Sequence, residues 1–163
     1  MTLSKQLAGQ FREVLLNGTW VATNYKTQLS NVNWEQATTK KENLNTLASL
    51  AFHIDYYIAG LIQVFQGGSL DIKDKYSYDA PPITSKHDWE RRLQKLFDDA
   101  KTFGNLVEQM SEAELMAPFV EDKYGSNYRN ILALIEHCYY HLGQIVLIKK
   151  LLDANSKSLP AFP

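Results

Sequence analysis

Three of the four histidines in this chain fall on apolar, helix-patterned stretches, and two of them are four residues apart. In Leu132-Ala-Leu-Ile-Glu-His137-Cys-Tyr-Tyr-His141-Leu-Gly-Gln144-Ile145 that spacing puts His137 and His141 on one helix face. A second apolar stretch, from Leu47 to Ile58, carries His53. Taken alone, a histidine on an apolar stripe reads as a hydrogen-bonded core residue. A pair one turn apart reads differently, because two interior rings need partners for four nitrogens and a metal satisfies two at once. His53 becomes a third ligand if its helix lies beside the helix of the pair. Three imidazoles aimed at one point hold a divalent metal, with nitrogens about 2.0–2.2 Å away, and leave positions open for chemistry.

Other metal motifs do not fit. A thermolysin-type helix places a glutamate base directly after its first histidine, whereas here Cys138 follows His137 and Glu136 precedes it. A di-iron bundle needs Glu-x-x-His, and Leu134 and Cys138 occupy the relevant offsets. Cys138 shares a stripe with Ile135 and Leu142 and reads as a buried structural thiol. His87 lies in a polar helix opening and reads as exposed. Tyr56 and Tyr57, three and four residues after His53, are candidates to line the same cavity as acid or hydrogen-bond donor; their plainer role is aromatic packing. Gln144, one turn beyond His141, is a candidate to contact a metal-bound ligand or to brace a neighbouring helix.

Four amphipathic segments must position these groups. Leu3, Leu7, Phe11, Val14, Val21, Tyr25 and Leu29 predict a first helix over about residues 3–30, with Gly18 marking a bend or a close contact. Leu44 to Phe65 predicts a second, stopped by Gly67-Gly68-Ser69. Ser85-Lys-His-Asp88 resembles a capping box and starts a third that runs to Met110; Ser111-Glu-Ala-Glu114 could cap a short extra turn. The fourth opens after Gly125-Ser126-Asn127 and runs to about Ala154. No strand-type alternation or internal repeat appears. The expected fold is all-α, a four-helix bundle. The connections 31–43, 67–84 and 111–126 exceed those of tight helix hairpins and permit a crossover. Ser69 to Pro82, with three aspartates, two tyrosines and Pro81-Pro82, reads as a lid, a partner surface or a solvated linker.

The whole chain narrows the classes. A length of 163 residues with 45% hydrophobic and 21% charged residues suits one globular domain over 1–163. A net charge of −1 offers nucleic acid or an anionic membrane no electrostatic purchase. One cysteine forms no internal disulfide, the N-terminus lacks a signal-peptide pattern, and no apolar run approaches the roughly 20 residues of a membrane span. The expectation is a cytoplasmic protein with neither nucleic acid nor membrane as partner. Trp20, Trp34, Trp89 and nine tyrosines exceed what four helices need inside, which suggests a homodimer.

His137 to Ile145 resembles the signature of the DinB/YfiT-like superfamily, in which an i, i+4 histidine pair on the fourth helix is followed by Gly-Gln and an aliphatic residue, as in His141-Leu-Gly-Gln-Ile. Leu50-Ala-Phe-His53 is similar to the family's second-helix element, and Trp20 with Asn24 to a weaker first-helix element; the third helix carries no distinctive motif. The resemblance implies a bundle in up-down-down-up order, with a long crossover between helices 2 and 3. It implies nickel, zinc or another divalent metal, iron or manganese included, on His53, His137 and His141. It implies frequent dimers, and relatives that use low-molecular-weight thiols such as bacillithiol or mycothiol in transferase or isomerase reactions. The leading expectation is therefore a divalent-metal-dependent enzyme, in its most specific form a thiol S-transferase taking a small thiol and an electrophile. The alternatives are a non-enzymatic metal-binding or stress-response bundle, and a bundle whose histidines form a metal-free hydrogen-bonded core.

Overall fold

The computed structural model describes residues 1–18 and 20–156. It is all-helical, with no strand among the described residues and one isolated bridge between Pro118 and Ser126. The elements are α1 (Leu3–Arg12), continued by a π-helical turn (Glu13–Asn17), then α2 (Tyr25–Leu29), α3 (Trp34–Thr38), α4 (Leu47–Phe65), α5 (Lys86–Gln109), α6 (Glu112–Met116) and α7 (Asn127–Ser156).

The first segment departs from the continuous helix over 3–30 that its periodicity predicts. The helix widens into a π turn and stops at Gly18, where a Cβ would sit 2.3 Å from the Glu13 Cβ. The chain then restarts under Asn24. Its side-chain oxygen accepts from the Thr27 amide at 2.9 Å and its Nδ2 donates to the Gly18 carbonyl at 2.9 Å, so one buried amide both caps α2 and closes the break. Tyr25 and Leu29 still reach the core, which is why the spacing looks unbroken, but Trp20 between the pieces is 88% exposed.

The later elements start where their caps lie. Thr46 caps α4, whose first residue, Leu47, lies three residues inside the expected start at Leu44, and Ser85 caps α5 by accepting from the Asp88 amide at 3.2 Å. The Asp88 carboxylate reaches back to the Thr84 amide, one residue further than a standard capping box. Ser111 and Glu114 complete a full box on α6, and the Arg129 amide donates to Ser126 Oγ at the start of α7. Long connections are folded too: Asn33 and Gln36 box α3, and Trp89 Nε1 donates to the Val32 carbonyl at 2.8 Å, tying that connection to α5.

α5 packs against α1 and α4, while α7 packs against α4 and α1, so these four helices enclose a common core. Phe11, Leu50, Ile54, Leu96, Phe103, Ile131 and Cys138 are fully buried in it, each large aliphatic or aromatic side chain contributing about 1.5–3 kcal/mol. By length and composition two helices could cross a membrane, Leu47–Phe65 with mean hydropathy 1.3 and Asn127–Asp153 with 1.4, contrary to the expectation that no segment approaches a span. Mutual packing accounts for their apolarity: 50% and 44% of these windows is buried inside the protein.

Candidate metal centre

α4 delivers His53 and α7 delivers His137 and His141, and because these helices are neighbours the three rings meet. His53 and His141 are 6% and 4% exposed. His137 Nε2 lies 3.1 Å from His53 Nε2 and 2.8 Å from His141 Nε2, and the three potential ligand atoms all fall within 4.8 Å of one another. Centroid separations of 5.0, 4.7 and 4.5 Å with ring planes steeply tilted bring nitrogens together and keep ring faces apart.

Proton counting tests whether this trio fits a metal. His53 Nδ1 donates to the Ser77 carbonyl at 3.3 Å, and His141 Nδ1 donates to Gln144 Oε1 at 2.8 Å. With Nδ1 protonated in both neutral rings, each Nε2 is a bare lone pair. His137 Nε2 carries at most one hydrogen and faces both, so hydrogen bonds satisfy one close N···N contact and leave the other lone pair against lone pair. A cation at the point of convergence satisfies all three. The donor set fits a divalent metal, and Ser77 and Gln144 occupy the positions from which outer groups fix ring orientation.

Electrostatics agree. Burial, then the nearby His141 ring, pushes His53 down to about 4, against opposing help from the Ser77 carbonyl and Asp74. Burial, then His141 and His53, pushes His137 down to about 4, with Asp74 again opposing. Burial also lowers His141, against the hydrogen bond it donates to Gln144. The rings are therefore neutral at physiological pH, the protonation state in which imidazole ligates.

The connection between α4 and α5 is exposed along most of its length, as a solvated linker would be, but a few of its residues reach this centre. Ser77 is buried, and the Tyr78 ring stacks on His53 with centroids 4.1 Å apart at 12°. Ile72 packs on Gly60 of α4 so closely that a Cβ there would meet its Cγ1 at 2.3 Å. Tyr57 stands edge-on to His53 and His137, both at 5.1 Å, and its hydroxyl donates to Asp74 Oδ1 at 2.9 Å. Tyr56 has a different place: its hydroxyl donates to the Lys73 carbonyl and accepts from the Lys73 amide, anchoring the same strap. Asp74, Ser77 and Tyr78 were not singled out from the sequence. Their only signal there was a tyrosine and aspartate content high for a linker.

A cavity of about 520 Å³ opens beside the centre with His137 in its wall. Leu61, Leu70, Ile72, Phe119 and Leu134 give it apolar sides, while Tyr57, Asp74 and Asn130 supply polar groups. Its volume is that of small-molecule sites. Cys138 takes no part: it is wholly buried, its thiol is pushed up by burial, and the Tyr25 hydroxyl donates to its carbonyl at 2.9 Å. His87 is exposed on α5.

Residues 19–145 match the family model of the DinB superfamily. No curated protein and no solved structure gives a significant match.

Proposed function

Because this chain belongs to the DinB superfamily, we propose that it is a divalent-metal-dependent enzyme built on His53, His137 and His141, and specifically an S-transferase for a small thiol. The observation that carries the reading is the convergence of three neutral imidazole Nε2 atoms at the wall of a cavity large enough for a substrate. A structural metal site closes its coordination sphere with protein, whereas three ligands beside a cavity keep a position for a reactant. Nickel or zinc suits an all-imidazole set, with iron and manganese as the other metals to test. The same reading takes the fold as a four-helix bundle in up-down-down-up order, with residues 67–84 as its crossover.

A divalent metal there supplies a positive field that lowers the pKa of a coordinated thiol or water at neutral pH. The protein's residues do the rest. Ser77 and Gln144 keep the Nδ1 protons of His53 and His141 engaged, so that both Nε2 atoms face inward unprotonated. Tyr57 and Tyr78 wall the rings from water, and the apolar sides of the cavity seat the electrophile. In the transfer the thiol loses its proton to water at the mouth and its sulfur bonds to an electrophilic carbon. The leaving group departs with the bonding pair. Tyr57 stays a neutral phenol here, since burial and its hydrogen bond to Asp74 raise its pKa, and its one proton is held by that carboxylate.

The molecule is further read as a cytoplasmic homodimer. Support comes from α7, where Tyr140 (65% exposed), Leu147 (55%) and Leu151 share one outward stripe.

The test is a comparison of wild type with His137→Ala and His141→Ala, all purified without a histidine tag. Metal titration with nickel, zinc, manganese and iron is followed by a screen for conjugation of small thiols to monochlorobimane or an epoxide. Both variants are expected to lose metal and metal-stimulated conjugation while staying helical. Equal metal uptake by variants and wild type rejects the ligand assignment. Metal held by the wild type with no conjugation under any condition rejects the enzyme and leaves a metal-binding bundle.

A further inference from the structure

The cavity beside His137 has a one-sided charge pattern. Its body is apolar, and the groups lining it include one carboxylate, Asp74, and no lysine or arginine among the described residues. Asn130 and Tyr124, its other polar groups away from the histidines and Tyr57, carry no positive charge to offset that carboxylate. None of the ion pairs among the described residues includes Asp74. Tyr57 donates to its Oδ1 and so fixes the side chain at the cavity wall. An ionised carboxylate accepts at about four lone-pair sites, so one phenol leaves most of that capacity for a ligand. In the metal-free protein a second carboxylate brought into this space would meet Asp74, itself partly exposed to solvent, with no lysine or arginine among the lining groups to offset the repulsion.

We propose that the cavity selects a small organic amine, an apolar body carrying an ammonium group that pairs with Asp74, and that it discriminates against acids of the same shape. This rests on the reading of the three-histidine centre as the place of reaction. Asp74 is then a specificity-determining residue: it fixes which end of the ligand faces the strap and leaves the other end toward His137. Phe119 and Tyr124 offer aromatic surface to the body of such a ligand.

The test uses three probes with one body, 4-phenylbutylamine, 4-phenylbutanol and 4-phenylbutyrate. Binding is measured calorimetrically on the full-length protein in EDTA, so that the acid gains nothing from ligating a metal. The amine is expected to bind at least about tenfold tighter than the alcohol, equivalent to about 1.4 kcal/mol, and the acid more weakly than both. Asp74→Asn brings the amine down to the alcohol. Ala133→Phe, which fills the cavity from α7, weakens all three. An acid or alcohol that binds as tightly as the amine, an amine preference that survives in Asp74→Asn, or no binding of any probe overturns the proposal. Metal titration of the same preparations separates the two readings. Metal uptake without amine preference refutes the amine site alone. An Asp74-dependent preference in a protein that takes up no metal keeps the amine site and refutes the metalloenzyme.

Discussion

Lowering the pH should test the centre more sharply than any substitution, because a proton and a metal compete for the same Nε2 lone pairs. Metal binds the neutral ring, so affinity is lost as pH falls through each ring's pKa. Three ordinary imidazoles titrating near 6.5 would each be about 90% protonated at about pH 5.5, and together they would cost about a thousandfold in affinity relative to about pH 7.5. In this protein burial holds His53 and His137 at about 4. Each is then only about 3% protonated at about pH 5.5, and the two together change affinity by less than about twofold. His141 is also lowered, which keeps its share below the roughly tenfold of an unperturbed ring. The expected total loss between about pH 7.5 and about 5.5 is therefore under about tenfold, with the steep loss displaced toward about pH 4. The assay is a competitive zinc or nickel titration against a chelator calibrated at each pH, with far-UV circular dichroism confirming the fold. A fall of about a hundredfold or more by about pH 5.5, in protein that is still helical, refutes the account of three buried neutral rings.

Gly60→Ala gains about 1 kcal/mol of helix propensity but forces a Cβ against Ile72, an overpacking of about 1–3 kcal/mol, so a net drop in melting temperature is expected; an unchanged or higher midpoint shows that the strap does not rest on Gly60. Asn24→Ala removes a cap worth about 1–2 kcal/mol and orphans the Gly18 carbonyl, while Asn24→Asp keeps the cap acceptor but sets a buried carboxylate oxygen against that carbonyl. Urea unfolding should place both variants below wild type, and an alanine variant as stable as wild type refutes the joint role. Sedimentation at micromolar concentration is expected to show a dimer, and replacing Leu147 and Tyr140 by glutamate should yield monomer; a wild type that sediments only as monomer removes the dimer from the reading.

Much of the site was legible because helices make spacing equivalent to direction. His137 and His141 had to share a face once their segment was a helix, and His53 had to join them once α4 and α7 packed together. Capping chemistry was legible as well, at Ser85 and in the Ser111–Glu114 box. The first segment misled because Val21, Tyr25 and Leu29 keep helical spacing across a break that Gly18 and Asn24 impose by contact and hydrogen bonding, which periodicity does not record. Asp74, Ser77 and Tyr78 escaped for a related reason. An irregular segment has no period, and its side chains take their directions from long-range contacts such as the Tyr78 ring on His53 and the Tyr56 hydroxyl on Lys73. Choosing between Tyr56 and Tyr57 needed the strap, which engages one hydroxyl through backbone and the other through Asp74.

That strap is a second connection between two places that already share His137. Over six residues Ile72 rests on Gly60 at the cavity, Asp74 holds Tyr57 at its mouth, and the Ser77 carbonyl fixes the tautomer of His53. Any displacement of the segment by a molecule in the cavity alters the hydrogen bond that aims a ligand nitrogen. Linkage makes such coupling reciprocal: the factor by which a bound metal changes affinity for the cavity's occupant is the factor by which that occupant changes affinity for the metal. In the proposed metalloenzyme, occupancy of the cavity is then a lever on metal retention, with the same sign and size whichever of the two sites is titrated.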